Sequence, residues 1–123
     1  MKKILIVEDD QDFSFILSKK FAAEKFSVIT AFDGREGLEI AIKEKPDLIL
    51  LDITMPVMDG MTMMSKLRED EWGKTVYIIL LTNLSADENI LKEMIKDEPL
   101  FYLVKSQWSL NDIMAKVREI LKG

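Results

Sequence analysis

The chain has 123 residues with 17 Lys plus Arg, 22 Asp plus Glu, a net charge of −5, and neither Cys nor His. That length suits one compact domain, and 48% hydrophobic with 32% charged residues is a globular composition. The missing residue types exclude disulfides, thiolate or imidazole metal sites and His-based acid–base catalysis. The acidic balance argues against a face that neutralises nucleic-acid phosphates.

The chain begins Met-Lys-Lys-Ile-Leu-Ile-Val, a basic end followed by an apolar run. The run stops at Val7 and three acids follow, short of the roughly 7–15 residues of a signal-peptide core. No apolar stretch approaches the roughly 20 residues of a membrane-spanning helix. The chain is therefore read as cytoplasmic, with no membrane segment.

Residues 3–7 are the first of five short apolar runs, followed by 26–30, 48–51, 76–81 and 100–104. They are rich in Ile, Val and Leu and nearly continuous, as strands buried on both faces of a parallel sheet are. Helical spacing lies between them: Phe13, Ile16, Leu17 and Phe21, then Leu38, Ala41 and Ile42. A third stripe is Ile90, Leu91, Met94 and Ile95, and a fourth is Ile113, Val117, Ile120 and Leu121. A shorter helix over residues 61–67 is opened by Asp59-Gly60. Asp33 with Glu36, Ser85 with Glu88 and Ser109 with Asp112 fit capping boxes, and Pro46 ends the second helix. Five β-α units in succession imply one doubly wound α/β sandwich with right-handed crossovers.

In such a sheet all strands end on one side, where ligands bind. The first run ends in Glu8-Asp9-Asp10, the third in Asp52, the fourth in Thr82 and the fifth in Lys105. An acid after a strand is ordinarily a helix cap, and a lone Lys is ordinarily solvated. The convergence of carboxylates, a hydroxyl and an ammonium on one edge points instead to a functional site. Two carboxylates about 4 Å apart repel by roughly 4 kcal/mol at an effective dielectric of 20. A hard cation relieves that repulsion, and without His or Cys the donor set favours Mg2+ over zinc. With Lys105 and Thr82 beside it, the cluster suits transfer of a phosphoryl group to a carboxylate, and Asp52 on the central strand is the best-placed nucleophile.

The stretches Ile4-Leu5-Ile6-Val7-Glu8-Asp9-Asp10, Leu48-Ile49-Leu50-Leu51-Asp52-Ile53-Thr54-Met55-Pro56-Val57-Met58-Asp59-Gly60, Ile79-Leu80-Leu81-Thr82 and Tyr102-Leu103-Val104-Lys105 resemble response-regulator receiver domains. The likeness spans the chain. It implies a single flavodoxin-like domain over residues 1–123, with five parallel strands in the order 2-1-3-4-5 and five helices, and with no effector domain in this chain. It implies that Asp52 accepts a phosphoryl group from a partner histidine kinase or phosphotransfer protein, so the domain is a phosphoacceptor regulator and not an enzyme. Asp9, Asp52 and the backbone carbonyl of Thr54 would bind Mg2+, with Glu8 acting through a water. Thr82 and Lys105 would contact the phosphoryl oxygens, and Thr82 with Tyr102 would form the switch. The surface of the fourth helix, fifth strand and fifth helix would bind a downstream protein partner, with no direct contact to nucleic acid.

Two other readings are weighed. A haloacid-dehalogenase-like phosphatase also uses a strand-end Asp, Mg2+, Thr or Ser and Lys, but requires an Asp where Thr54 stands. A receiver-like module working without phosphorylation is opposed by the intact Asp52, Thr82 and Lys105. Two departures from the family carry expectations. Asn83 and Leu84 follow the Thr, and Leu84 cannot hydrogen-bond an attacking water, so autodephosphorylation is expected to be slow. Ser106 replaces the usual Pro, so the Lys105–Ser106 bond is expected to be trans. Five of the eight methionines fall between positions 55 and 64 and are read as gap fillers. Trp72 and Trp108 are placed near loops, with Trp108 either marking a partner surface or serving as a partly buried anchor.

Overall fold

Burial along β1 (Lys3–Val7) and β3 (Leu48–Asp52) accounts for their continuous apolar sequences: both are covered on two faces. In the computed structural model, which describes residues 1–53, 55, 57–82, 100–104 and 108–121, these strands lie inside one parallel sheet. With β2 (Ser27–Ala31), β4 (Tyr77–Thr82) and β5 (Leu100–Val104) the order is β2-β1-β3-β4-β5. The order reverses at β1, where the chain crosses back to place β3 on its other side.

The pleat divides the core. Leu5, Val7, Ile49, Leu51, Ile78 and Leu80 pack on one face with Ala41 of α2 (Gly34–Glu44) and Met63, Met64 and Leu67 of α3 (Gly60–Leu67). Ile4, Ile6, Leu48, Leu50, Ile79, Leu81 and Leu103 pack on the other. That face is covered by Leu17 and Phe21 of α1 (Gln11–Ala23) and by Ile113, Met114 and Val117 of α4 (Leu110–Ile120). An ion pair between Arg118 and Glu24 joins these two helices near their C-terminal ends.

The doubly wound parallel architecture follows the sequence reading, with several local differences. β2 begins at Ser27 because Phe26 turns onto Phe21, ring centroids 5.8 Å apart and nearly perpendicular. β4 begins after Val76, whose carbonyl accepts a 2.9 Å hydrogen bond from Arg68 Nη1. β3 extends one residue beyond the expected run, so Asp52 belongs to the strand and pairs with Leu81. In α1 the buried residues are Ser14, Leu17 and Phe21, while Ile16, rotated about 100° from Leu17, is 44% exposed. In α2 they are Gly34, Gly37 and Ala41, and Ile42 faces water. Both stripes were expected to include the exposed isoleucines.

The helix boundaries match their signals. Asp33 accepts from the Glu36 amide and Asp59 from the Thr62 amide, each at 2.8 Å. Ser109 and Asp112 cap each other reciprocally. α2 stops at Glu44, and Lys45 takes a left-handed φ of 47° ahead of Pro46. Met55, Met63 and Met64 are buried, Met58 and Met61 pack on them, and Trp72 joins the same cluster, so these methionines fill the core. Trp108 is exposed. The helix expected through Ile90, Leu91, Met94 and Ile95, and the Ser85–Glu88 capping pair, lie outside the described residues. Among the described residues no helix is long and apolar enough to cross a membrane.

Candidate functional site

Strand register builds the site. Val7 pairs with Leu51, so Glu8 follows β1 at the level where Asp52 ends β3. Alternation puts Glu8 on the face of Ile4 and Ile6, and Asp52 on that of Leu48 and Leu50, so both carboxylates lean to the α1 and α4 side. Both are buried, Glu8 to 1% and Asp52 to 7% exposure, whereas Asp9 is open to solvent. Carboxylate oxygens of Glu8, Asp9 and Asp52 all lie within 4.8 Å of one another.

At that separation a charged pair repels by roughly 3 kcal/mol at an effective dielectric of 20, and burial of two of the three groups reduces screening. Three hard oxygen donors converging at a strand edge suit a small divalent cation, and neither Cys nor His is present in the chain to favour a softer metal. Glu8, Asp9 and Asp52 therefore fit Mg2+.

Asp10 does something else. Its carboxylate accepts from the Asp12 and Phe13 amides at 3.1 and 3.2 Å, capping α1, while its own amide donates to Glu8 Oε2 at 3.3 Å. Of the three consecutive acids, two join the cluster and the third starts the helix behind them. The signal was legible as an Asp just before a helical stripe.

The loop after Asp52 is held by backbone contacts. The Ile53 amide donates to Leu81 O at 3.1 Å, and the Gly60 amide donates to Ile53 O at 2.9 Å. A Cβ on Gly60 would sit 2.2 Å from the Asp52 carbonyl oxygen, so only glycine admits this return of the chain. Val57, 77% exposed, has φ of 67°, an outlier for a β-branched residue. Neither Gly60 as a contact nor Val57 as strained backbone was read from the sequence, because both depend on the path of the loop.

Thr82 ends β4 with its backbone opposite Val104, and Tyr102 in β5 lies opposite Leu80. Their side chains, and all of Thr54, Lys105, Asn83, Leu84 and Ser106, lie outside the described residues.

Residues 4–118 match the family described as the response regulator receiver domain. The chain is 33% identical over 128 residues to the response regulator PleD of Caulobacter vibrioides, covering 95% of this chain and 28% of that protein. It is 32% identical over 121 residues to the alkaline phosphatase synthesis transcriptional regulatory protein PhoP of Bacillus subtilis, covering 98% and 49% respectively. The chain thus spans half or less of the length of these relatives. The chemotaxis protein CheY4 of Vibrio cholerae superposes with a TM-score of 0.86 at 28% identity, covering 98% of each chain. The response regulator TrrA of Thermotoga maritima, solved in complex with Mg(2+)-BeF, superposes at 0.83 with 30% identity, covering 98% of this chain and 99% of that one. With nearly its whole length matched by the family and by these folds, the chain belongs to the response regulator receiver domains.

Proposed function

We propose that this domain is a phosphorylation-dependent signalling switch in which Asp52 accepts a phosphoryl group from the phosphohistidine of a partner kinase or phosphotransfer protein. The observation that carries this reading is the clustering of Glu8, Asp9 and Asp52 carboxylate oxygens within 4.8 Å at the end of the central strand. A carboxylate oxygen of Asp52 attacks phosphorus, the nitrogen–phosphorus bond of the donor breaks, and the imidazole leaves. Asp9, Asp52 and the Thr54 carbonyl would hold Mg2+, with Glu8 acting through a water; TrrA, a structural neighbour, was solved with Mg(2+)-BeF. When bound, the ion neutralises charge on the cluster and on the phosphoryl oxygens. The Lys105 ammonium and Thr82 hydroxyl contact those oxygens.

Phosphorylation replaces a carboxylate by an acyl phosphate with close to two negative charges. Thr82 moves toward it, Tyr102 rotates, and the surface of β5, of α4 and of the helix expected from the sequence through Ile90 and Met94 changes affinity for a downstream protein partner. The domain acts as a cytoplasmic phosphoacceptor regulator and not as an enzyme on external substrates. We propose no direct nucleic-acid contact for it, although a matched relative from Synechocystis is named a DNA-binding regulator, and this chain covers 50% of that protein.

Incubation with Mg2+ and acetyl phosphate followed by mass spectrometry tests the assignment. The unaltered chain should gain one phosphate mass, and Asp52→Asn should gain none. An equal rate of gain in Asp52→Asn would overturn Asp52 as acceptor. No gain in either would favour a receiver-like module that works without phosphorylation.

A further inference from the structure

The β2–α2 turn touches the loop that carries Glu8 and Asp9 and the loop that follows Asp52. At one end the Ala31 carbonyl accepts a 3.0 Å hydrogen bond from the Glu8 amide. At the other the Gly34 amide donates to the Met58 carbonyl, also at 3.0 Å, on the loop that starts behind Asp52. Gly34 is buried as the first residue of α2, with Asp33 capping the helix beside it. A Cβ at Gly34 would lie 2.2 Å from Met58 O and 2.9 Å from Met58 C. Gly34 does not occupy the left-handed region, so an L residue is compatible with its backbone and the obstacle is the contact itself. That contact is with main chain, which cannot rotate away as a side chain can.

We propose that Gly34 is a positioning residue for the acidic site. The four-residue span from Ala31 to Gly34 acts as a strap, setting the spacing between the loop that carries Glu8 and Asp9 and the loop that follows Asp52. Opposite ends of the loop behind Asp52 are thereby fixed by two glycines. Gly60 holds Ile53 next to the acceptor, and Gly34 holds Met58 next to the second turn. The β1–β3 register fixes where Asp52 stands relative to Glu8, and the strap fixes the backbone that leaves each of them, so it bears on how closely the carboxylates meet around a cation. Gly34 acts on the site through Met58. This inference rests on the Mg2+-dependent reading of the acidic cluster, and its test separates the two.

Mg2+ affinity is measured by titration calorimetry, and phosphorylation by acetyl phosphate is followed at limiting and at saturating Mg2+. The variants are Gly34→Ala and Gly73→Ala. Gly73 lies beyond the far end of α3, and its Cβ would meet Leu67 O at 2.0 Å, so this control introduces the same kind of clash away from the acids. Gly34→Ala should weaken Mg2+ binding about tenfold, in the range seen when groups supporting metal ligands are altered. Its phosphorylation rate should fall most at limiting Mg2+. Gly73→Ala should lower thermal stability and leave Mg2+ affinity within about twofold, the spread of context-dependent effects between variants.

Equal Mg2+ affinity in Gly34→Ala and the unaltered chain would overturn the proposal, and so would equal weakening in Gly73→Ala. If the unaltered chain binds no Mg2+, the reading of the site fails, and the strap falls with it. Should Gly34→Ala not fold, the Gly34 amide resonance of the unaltered chain is followed through a Mg2+ titration. A shift that saturates with Mg2+ supports the strap, and an unmoved resonance overturns it.

Discussion

Glu8 and Asp52 stand at the ends of adjacent parallel strands, on the same face of the sheet, because Val7 is in register with Leu51. Their carboxylates, both buried, are brought within 4.8 Å of each other and of Asp9. Such a convergence of hard oxygen donors is the arrangement that the proposed Mg2+ would occupy.

Mg2+ should therefore stabilise the unaltered chain. At ten times its dissociation constant the ion contributes about 1.4 kcal/mol, a rise in Tm of about 3–6 °C for a domain of this size. Asp9→Asn, which removes an exposed carboxylate without opening the core, should lose most of that rise. Differential scanning calorimetry with and without Mg2+ is the measurement. An equal rise in both proteins would remove Asp9 from the site.

Val57 should prove destabilising where it stands. A left-handed conformation costs an ordinary L residue about 1–2 kcal/mol, and its exposed side chain offers little packing in return. Val57→Asn, with a residue that tolerates this region, should raise stability by about 1 kcal/mol. Urea unfolding would show a higher midpoint at an unchanged slope. An unmoved midpoint would mean that the loop relaxes around Val57.

Gly60→Ala should act in the opposite direction. Its Cβ would meet the Asp52 carbonyl oxygen at 2.2 Å, and displacing backbone behind a buried strand costs about 1–3 kcal/mol or more. Phosphorylation of Asp52 should slow in the same variant, because the acceptor's own peptide unit moves. Wild-type stability and rate together would show that the loop has room to retreat.

The capping box of α4 gives a pH signature. Hydrogen bonds from the Ser109 backbone amide and then from its side chain hold the Asp112 carboxyl below its ordinary value of 3.8. The folded state thus favours the charged form. The resulting stabilisation is complete above pH 3.8 and disappears as pH falls through the lower, folded value. Asp112→Asn should be less stable than the unaltered chain at pH 7, with the gap closing at acid pH. A gap independent of pH would mean that the charge on Asp112 contributes nothing.

Much of the fold is legible in the order of elements. Apolar runs without alternation require burial on both faces, and their interleaving with helical stripes leads to a parallel doubly wound sheet, which the strand order bears out. The site is legible in part for the same reason: in a parallel sheet, residues that follow each strand must meet at one edge. Glu8, Asp9 and Asp52 do meet.

Tertiary structure alone decided which of several equivalent local choices was taken. A helical stripe marks a face only to within a residue's rotation, so Ile16 and Ile42 read as core until the sheet selected Leu17 and Ala41. Three acids in a row offer three ligands and three caps, and only the direction in which α1 leaves the sheet made Asp10 the cap. The left-handed Val57 and the contacts of Gly34 and Gly60 arise where separate turns close on one loop. Periodicity is a property of neighbours along the chain, whereas contact between turns depends on packing between elements distant in sequence.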